Sequence, residues 1–564
     1  MALQILGAEG AGSQGAALSI SAEASRDYVW SVLAQSGDEE KASTIRELAQ
    51  RGEAEVASYV DVIVELLNDV HAPKVRAAVC QAVRASGKVG ALYAQDLTSL
   101  LSEQDPEVRY QACLALAGMG DAAAGALTKL KQLLGDRSEI VRYGACAALG
   151  GLEAAACADD IAALLSDNSP EVQGAACWAL GKLGRSAQSS AAGVFKRLAE
   201  PRSRLQALKA VAMMRPAGDA QSWEDVCGCL KDEDAETRMA AVFAIGEMAS
   251  AVKDSGPAYS KLTGVLNADD GRFRCAAALA LGLLGSRAGD QIDNLKDLLS
   301  DEFSEPPTDA LSAGGCRPRL PAQWRNAKCA AAVALGHIVS CDGGGCDGSG
   351  LAASVAELLN DNTWEVRLAA CEALGMMGTW AQGEASQVAT LLEDPRFQVR
   401  AKAAATCAKL GDSQVISKLV DMLEDASPAV REEVVRALPR FNSESQEYME
   451  KLSEKLVDPV VSVRVAVIEV LAALGAPRSG YYASAVAQRL SAEGEAASVQ
   501  VAALQALGKM GKRGALYQDL LNEYAQSTLP QLRQAAEQGL SSMRSLQGGQ
   551  PYMIESFNEG DGGE

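Results

Sequence analysis

Apolar residues recur in short blocks at i, i+3, i+4 and i+7, and each block closes on glycine or an acidic residue. That spacing lines one face of a helix. In DPEVRYQACLALAGMG (105–120), Val108, Ala112, Cys113 and Leu116 share the stripe. A second kind of block carries a Leu-Leu pair and ends on Asp, as in ALTKLKQLLGD (126–136), IDNLKDLLSD (292–301) and ISKLVDMLED (416–425). The two kinds alternate. The acidic residue and proline between them stop one helix and start the next, since proline suits a first helical turn. Each repeat is therefore two antiparallel helices, A then B. One pair cannot bury its apolar face alone, whereas stacked pairs share a continuous core.

The B block recurs with a fixed arginine. Copies include HAPKVRAAVCQAVRASG (71–87), DRSEIVRYGACAALGGL (136–152), DGRFRCAAALALGLLG (270–285), NTWEVRLAACEALGMMG (362–378) and VVSVRVAVIEVLAALG (460–475). The arginines are Arg76, Arg109, Arg142, Arg238, Arg274, Arg367, Arg400, Arg431 and Arg464, most neighbouring copies lying about 31 to 36 residues apart. Gln173 stands in for arginine once, and weaker copies surround Arg204, Arg325 and Arg533. The count is about thirteen repeats, with a degenerate start near 36–52. The expected fold is all-α, a right-handed α-solenoid superhelix filling residues 26–545 as one continuous domain. Irregular loops are expected at 300–324 and 340–350, a flexible tail at 1–25 and an acidic, Gly-rich tail at 546–564.

Composition narrows the function. Apolar residues make up 48% but aromatics only 4%, so the core is aliphatic. The formal net charge of −21 argues against binding nucleic acid or an anionic membrane, both of which need basic surface. It suits solubility, or a basic surface or segment on a partner. No stretch reaches a bilayer-spanning run of apolar residues, and no Lys or Arg precedes Arg26, so neither a secretory signal nor a mitochondrial presequence is expected. The chain reads as intracellular and cytoplasmic, with a nuclear location compatible. Fourteen scattered cysteines are not a secreted disulfide framework.

The D-x-x-P-E-V-R entries and A-x-x-A-L-G endings, clearest at Asp105–Gly120, Asp136–Leu152, Asn362–Gly378 and Val460–Gly475, resemble the HEAT-repeat family. The short period is similar to the HEAT-like subtype of phycobilisome lyases. The resemblance covers roughly 36–545. It implies an α-solenoid and, for most of the family, a scaffold or adaptor role. It also implies a structural ladder between turn aspartates and helix-B arginines: Asp105, Arg109, Asp136, Arg142, Asp361, Arg367, Asp394, Arg400, Asp425 and Arg431. The enzymatic branch that resembles deoxyhypusine hydroxylase needs several His-Glu dipeptides for iron. Here the two histidines, His71 and His337, are followed by Ala72 and Ile338.

The recurring Cys four residues after the template position (Cys80, Cys113, Cys146, Cys177, Cys329 and Cys371) falls on the core stripe. Neighbouring helices lie about 8–10 Å apart, too far for a disulfide or a shared zinc from one Cys per repeat. Cys316, Cys341 and Cys346 lie in the two loops and leave metal or redox chemistry open. Motifs for nucleotide, zinc-hydrolase or serine-hydrolase chemistry are absent. No catalytic, cofactor-binding or metal residue is expected, and no cofactor. Positions one and five beyond the template lie opposite the core and give Tyr110, Leu114, Tyr143, Trp178, Met239 and Phe243, the residue mix of protein-binding hot spots. The same residues could instead fill gaps between Ala-rich helices. In the C-terminal half this face becomes charged, with Glu372, Glu432, Arg436 and Glu469. The expected function is a non-enzymatic scaffold binding one or more proteins along a concave helix-B surface and the central loops. The alternative is a lyase-like or chromophore-handling HEAT-repeat enzyme or chaperone.

Overall fold

The computed structural model describes residues 26–68, 71–251, 262–305, 321–341, 347–441, 446–475 and 478–546. The expected N-terminal tail, the C-terminal tail from 547 onward, most of the two central loops, and Cys316 and Cys346 lie outside them. Regular structure among the described residues is helical, with an isolated antiparallel bridge between Ser304 and Asn326. The chain is an all-α solenoid of helix pairs and divides into two compact units, Met1–Ala268 and Asp269–Glu564. The described ends of the 340–350 segment are helical: Ala327–Cys341 runs into it and Gly348–Ala356 starts within it.

In the first unit the B helices are Asp38–Gln50, Pro73–Ala85, Pro106–Leu116, Glu139–Gly151, Pro170–Leu183, Pro201–Met214 and Ala235–Ala251. In the second they are Gly271–Leu284, Ala327–Cys341, Trp364–Met377, Phe397–Leu410, Pro428–Ala437, Val461–Ala473, Ala497–Lys509 and Pro530–Leu546. Within each unit every B helix packs on the next. Small residues set the spacing. A Cβ on Gly150 would stand 2.7 Å from Ala179 Cα, and one on Gly181 would stand 3.0 Å from Ala210 Cα. Neither contact leaves room for a side chain.

The A segments are shorter, and most end in a tight 3₁₀ turn, as at Leu164–Ser166, Leu298–Ser300 and Leu391–Glu393. That turn drops both leucines into the core and leaves the following Asp with extended backbone. The extended Asp then caps the next B helix. Asp136 Oδ1 accepts from the Ser138 N–H at 2.8 Å, Asp394 from Arg396 and Asp458 from Val460. Such a cap satisfies one of the orphan donors of a helix N-terminus.

The same carboxylates receive the arginine of the preceding repeat. Arg109 Nε and Nη2 each donate to Asp136 at 3.0 Å. Arg142 reaches Asp167 at 2.7 and 2.8 Å, Arg367 reaches Asp394 at 2.7 and 3.1 Å, and Arg400 reaches Asp425 at 2.8 and 2.9 Å. Arg431 joins Asp458 and Arg274 joins Asp301 in the same way, whereas Arg204 reaches Asp232 through Nη1 alone and turns its Nε to the Leu198 carbonyl. A third contact closes each rung backward, as Arg142 Nη1 donates to the Asp136 carbonyl at 2.9 Å and Arg400 Nη1 to that of Asp394 at 2.8 Å.

Two rungs differ. Asp105 caps its own helix, accepting from the N–H groups of Glu107 and Val108, and Glu103 receives Arg76 at 2.9 Å instead. Asp361 pairs with Lys328 at 2.8 Å, while Arg325 pairs with Glu365.

All six recurring cysteines are fully buried. Burial pushes the thiols of Cys80, Cys177 and Cys329 up to about 12 and those of Cys113, Cys146 and Cys371 higher still. Every described cysteine is free, and Cys341 is the exposed one among them. Cys227 and Cys229 are buried, Cys227 in the A helix Ala220–Gly228 and Cys229 in the turn that follows it.

Candidate protein-binding face of the B helices

In the first unit the positions opposite the core stripe form a row running from helix to helix, and the structure gives its members two different roles. Tyr110 is half-buried and lies over Gly144 of the next B helix, where an added Cβ would stand 2.8 Å from its ring. Trp178 is half-buried and leans back over Gly150 of the preceding helix, its Cζ3 2.9 Å from where a Cβ would stand. These rings occupy the space that glycine leaves, so they pack between repeats as well as facing outward. Leu114 and Met239 are also only partly exposed.

Tyr143 and Phe243 are more open, at 37% and 53% exposure. Tyr143 meets Tyr110 edge to face, with centroids 6.3 Å apart at 62°, the geometry favoured by the ring quadrupole. Lys182 Nζ sits 5.7 Å from the Trp178 ring centroid, within cation–π range.

Residues outside the periodic face complete the surface. Met213 is 38% exposed, and its methyl lies over Gly181. Lys182, Arg185, Met213, Arg215, Phe243 and Glu247 line an open groove of about 590 Å³ at the ends of three successive B helices. Arg215 Nε pairs with Glu247 at 2.7 Å. Arg215 also has positive φ (52°), a left-handed conformation that disfavours a residue with a Cβ. Glycines of positive φ stand at the corresponding ends at Gly184, Gly285, Gly378 and Gly411, and Glu153 (φ 50°) follows Glu139–Gly151. The signal was present in the sequence: the end of Pro201–Met214 reads MMRPAG where the template has Leu-Gly.

In the second unit the equivalent face is charged and internally paired. Lys402 reaches Glu372 at 3.4 Å, and Arg436 pairs with Glu432 four residues away. Among the described residues no cluster of His, Cys, Asp and Glu has metal-holding geometry, and no helix is long and apolar enough to cross a membrane.

The stacked helix pairs and their repeating rungs define a solenoid of the HEAT class, and the chain belongs to the HEAT-repeat family. A family model described as HEAT repeats matches residues 31–117, 127–212, 224–312, 385–472 and 416–488, and a HEAT repeat model matches 353–381. Similar solved structures include importin beta (TM-score 0.61, 14% identity, 93% of this chain and 79% of that one) and yeast importin-beta Kap95p (0.52, 14%, 93% and 82%). Kap121p bound to Pho4p is also similar (0.56, 14%, 93% of this chain). This chain spans 66% of Kap121p, just under two thirds of its length. At these identities the likeness is one of fold. A comparison with curated proteins gives no match.

Proposed function

We propose that the chain is a non-enzymatic scaffold that binds segments of partner proteins along the outward face of the first unit's B helices. The observation that supports this is the exposure of Tyr143 and Phe243 in a chain whose residues are only 4% aromatic. Open rings also occur singly at Trp380, Phe397 and Tyr481, but Tyr143 and Phe243 share one row with Tyr110 and Trp178, and binding hot spots are enriched in such aromatics. Kap121p, similar in fold, is seen bound to the protein Pho4p, which is the kind of ligand this reading assigns. The cytoplasmic location, with the nucleus compatible, belongs to the same reading.

Affinity purification from the native cell tests it. Proteins recovered with the full chain are identified by mass spectrometry and compared with those held by a Tyr143→Ala/Phe243→Ala variant of unchanged melting temperature. Loss of a specific protein in the variant is expected. An unaltered set of partners removes this face from the proposal. A purified protein with a visible absorption band or bound metal would favour the lyase-like alternative.

A further inference from the structure

The groove at the ends of Pro170–Leu183, Pro201–Met214 and Ala235–Ala251 has a charge opposite to that of the chain around it. The chain carries 73 acidic residues against 52 basic ones. Yet Lys182, Arg185 and Arg215 line this groove with Glu247 the one acid among its lining residues. Arg215 takes up Glu247. Lys182 and Arg185 have no acidic side chain within ion-pair distance among the described residues. The neighbouring Lys209 and Glu236 neutralise each other at 2.7 Å. Lys182 lies in the last helical turn, where a cation also complements the helix end. Arg215 is the C-cap of Pro201–Met214 and Arg185 directly follows the C-cap of Pro170–Leu183, so all three cations gather at helix C-termini. The floor between these cations is apolar, made by Met213 and Phe243.

Arg215 is the second, independent sign. Glycine takes the positive φ at Gly184, Gly285, Gly378 and Gly411, and Glu153, just past Glu139–Gly151, is the other non-glycine among the described residues with φ near 50°. Here the chain holds an arginine in a left-handed conformation, and its guanidinium joins the groove wall. Strain kept where glycine serves other repeats, by a side chain that lines the groove, points to a use for that side chain.

We propose that this groove binds a short acidic segment of a partner protein. One apolar side chain of the segment rests on Met213 and Phe243, and its carboxylates meet Lys182, Arg185 and Arg215. This deepens the scaffold reading and rests on it. Charge complementarity of this kind sets specificity and capture rate more than raw affinity.

The test pans a phage-displayed library of random peptides on the full chain. Selected peptides are then synthesised with fluorescein and measured by anisotropy. The expected winners carry Asp and Glu around one aromatic or aliphatic residue. Their affinity should fall about tenfold or more in Lys182→Glu/Arg185→Glu and weaken as salt rises. Arg215→Gly should weaken them several-fold without lowering the melting temperature, because glycine suits the backbone there. Basic or uncharged winners, no winners, or winners indifferent to the charge reversal would each overturn the proposal. Winners that reproduce an acidic stretch of this same chain would make a second copy the occupant and overturn it as stated. If Tyr143→Ala/Phe243→Ala loses a co-purifying protein that the charge-reversed variant keeps, the scaffold reading stands and the acidic ligand falls.

Discussion

Arg431 and Asp458, on successive repeats, meet in a planar two-bond pair, Nε to Oδ2 and Nη2 to Oδ1, both at 2.8 Å. Their side chains are 10% and 2% exposed, so this rung is nearly shut from water. Arg431 Nη1 also donates to the Asp425 carbonyl at 2.8 Å. Removing the arginine leaves a buried carboxylate and a carbonyl without their partner. Arg431→Ala should therefore destabilise the second unit by about 3 kcal/mol, read from urea denaturation. Hydrogen exchange should place the loss in the repeats on either side. Lys74→Ala, which breaks an exposed pair with Glu39, should leave the midpoint unmoved.

Acid should act on the rungs together. The Arg142 hydrogen bond holds the Asp167 carboxyl below its usual value against the opposing effect of burial. At Asp301, Asp425 and Asp458 burial pushes upward, but the arginine and the capping N–H outweigh it, so these carboxyls also lie low. A folded value below the unfolded one adds stability that is complete above the unfolded value of about 3.9 and is lost as pH falls through the folded value. Urea midpoints should therefore hold steady from pH ~7 to ~5 and fall steeply only below ~4. A comparable decline between pH ~7 and ~5 would show that the rungs are not what acid removes.

The close approach of B helices makes some glycines irreplaceable for space rather than for backbone freedom. At Gly150 a Cβ would meet backbone at Ala179 and the Trp178 ring at once. Gly150→Ala should cost about 1–3 kcal/mol. Gly118→Ala is the control, since nothing lies within 4 Å of its Cβ position, and it should shift stability by no more than about 0.5 kcal/mol. Equal effects would mean that the helices part easily.

The cysteines should separate by reactivity. Burial keeps Cys80, Cys113, Cys146 and Cys177 protonated and out of reach, and only a thiolate attacks an alkylating reagent. Brief iodoacetamide treatment of the native protein, followed by peptide mass spectrometry, should mark Cys341 and spare those four until urea is added. Labelling of Cys113 in the native protein would contradict the packing of its helix.

Much of the architecture could be read from the residues because period and chemistry agree. Val108, Ala112, Cys113 and Leu116 share one stripe by spacing alone, and all four are buried. The division of most A segments into a short α-helix and a 3₁₀ turn could not be read this way, since i, i+3 and i+4 spacing serves both forms. The rung acid was open to counting. It stands six residues before the arginine at Asp136, Asp361, Asp394, Asp425 and Asp458, and six before Arg109 is Glu103. Asp105 adjoins a proline, the mark of a cap, and caps its own helix instead. The outward face could be read as a row of positions, but not the difference between Trp178, folded over Gly150, and Phe243, left open. That difference depends on which neighbour carries a glycine.

Within each unit the rungs also govern which changes of length the chain can absorb. The repeats from Asp361 to Arg464 each present the same socket, an acid six residues before the arginine, and the same plug, the arginine itself. Excising one whole repeat between Arg367 and Arg431 would bring a plug to a socket of matching depth and cap. Excising half of one would set arginine against arginine across the seam and leave a Leu-Leu turn with no helix to receive it. The array can thus grow or shrink in whole repeats while its joints stay intact, and a step of any other size breaks the seam.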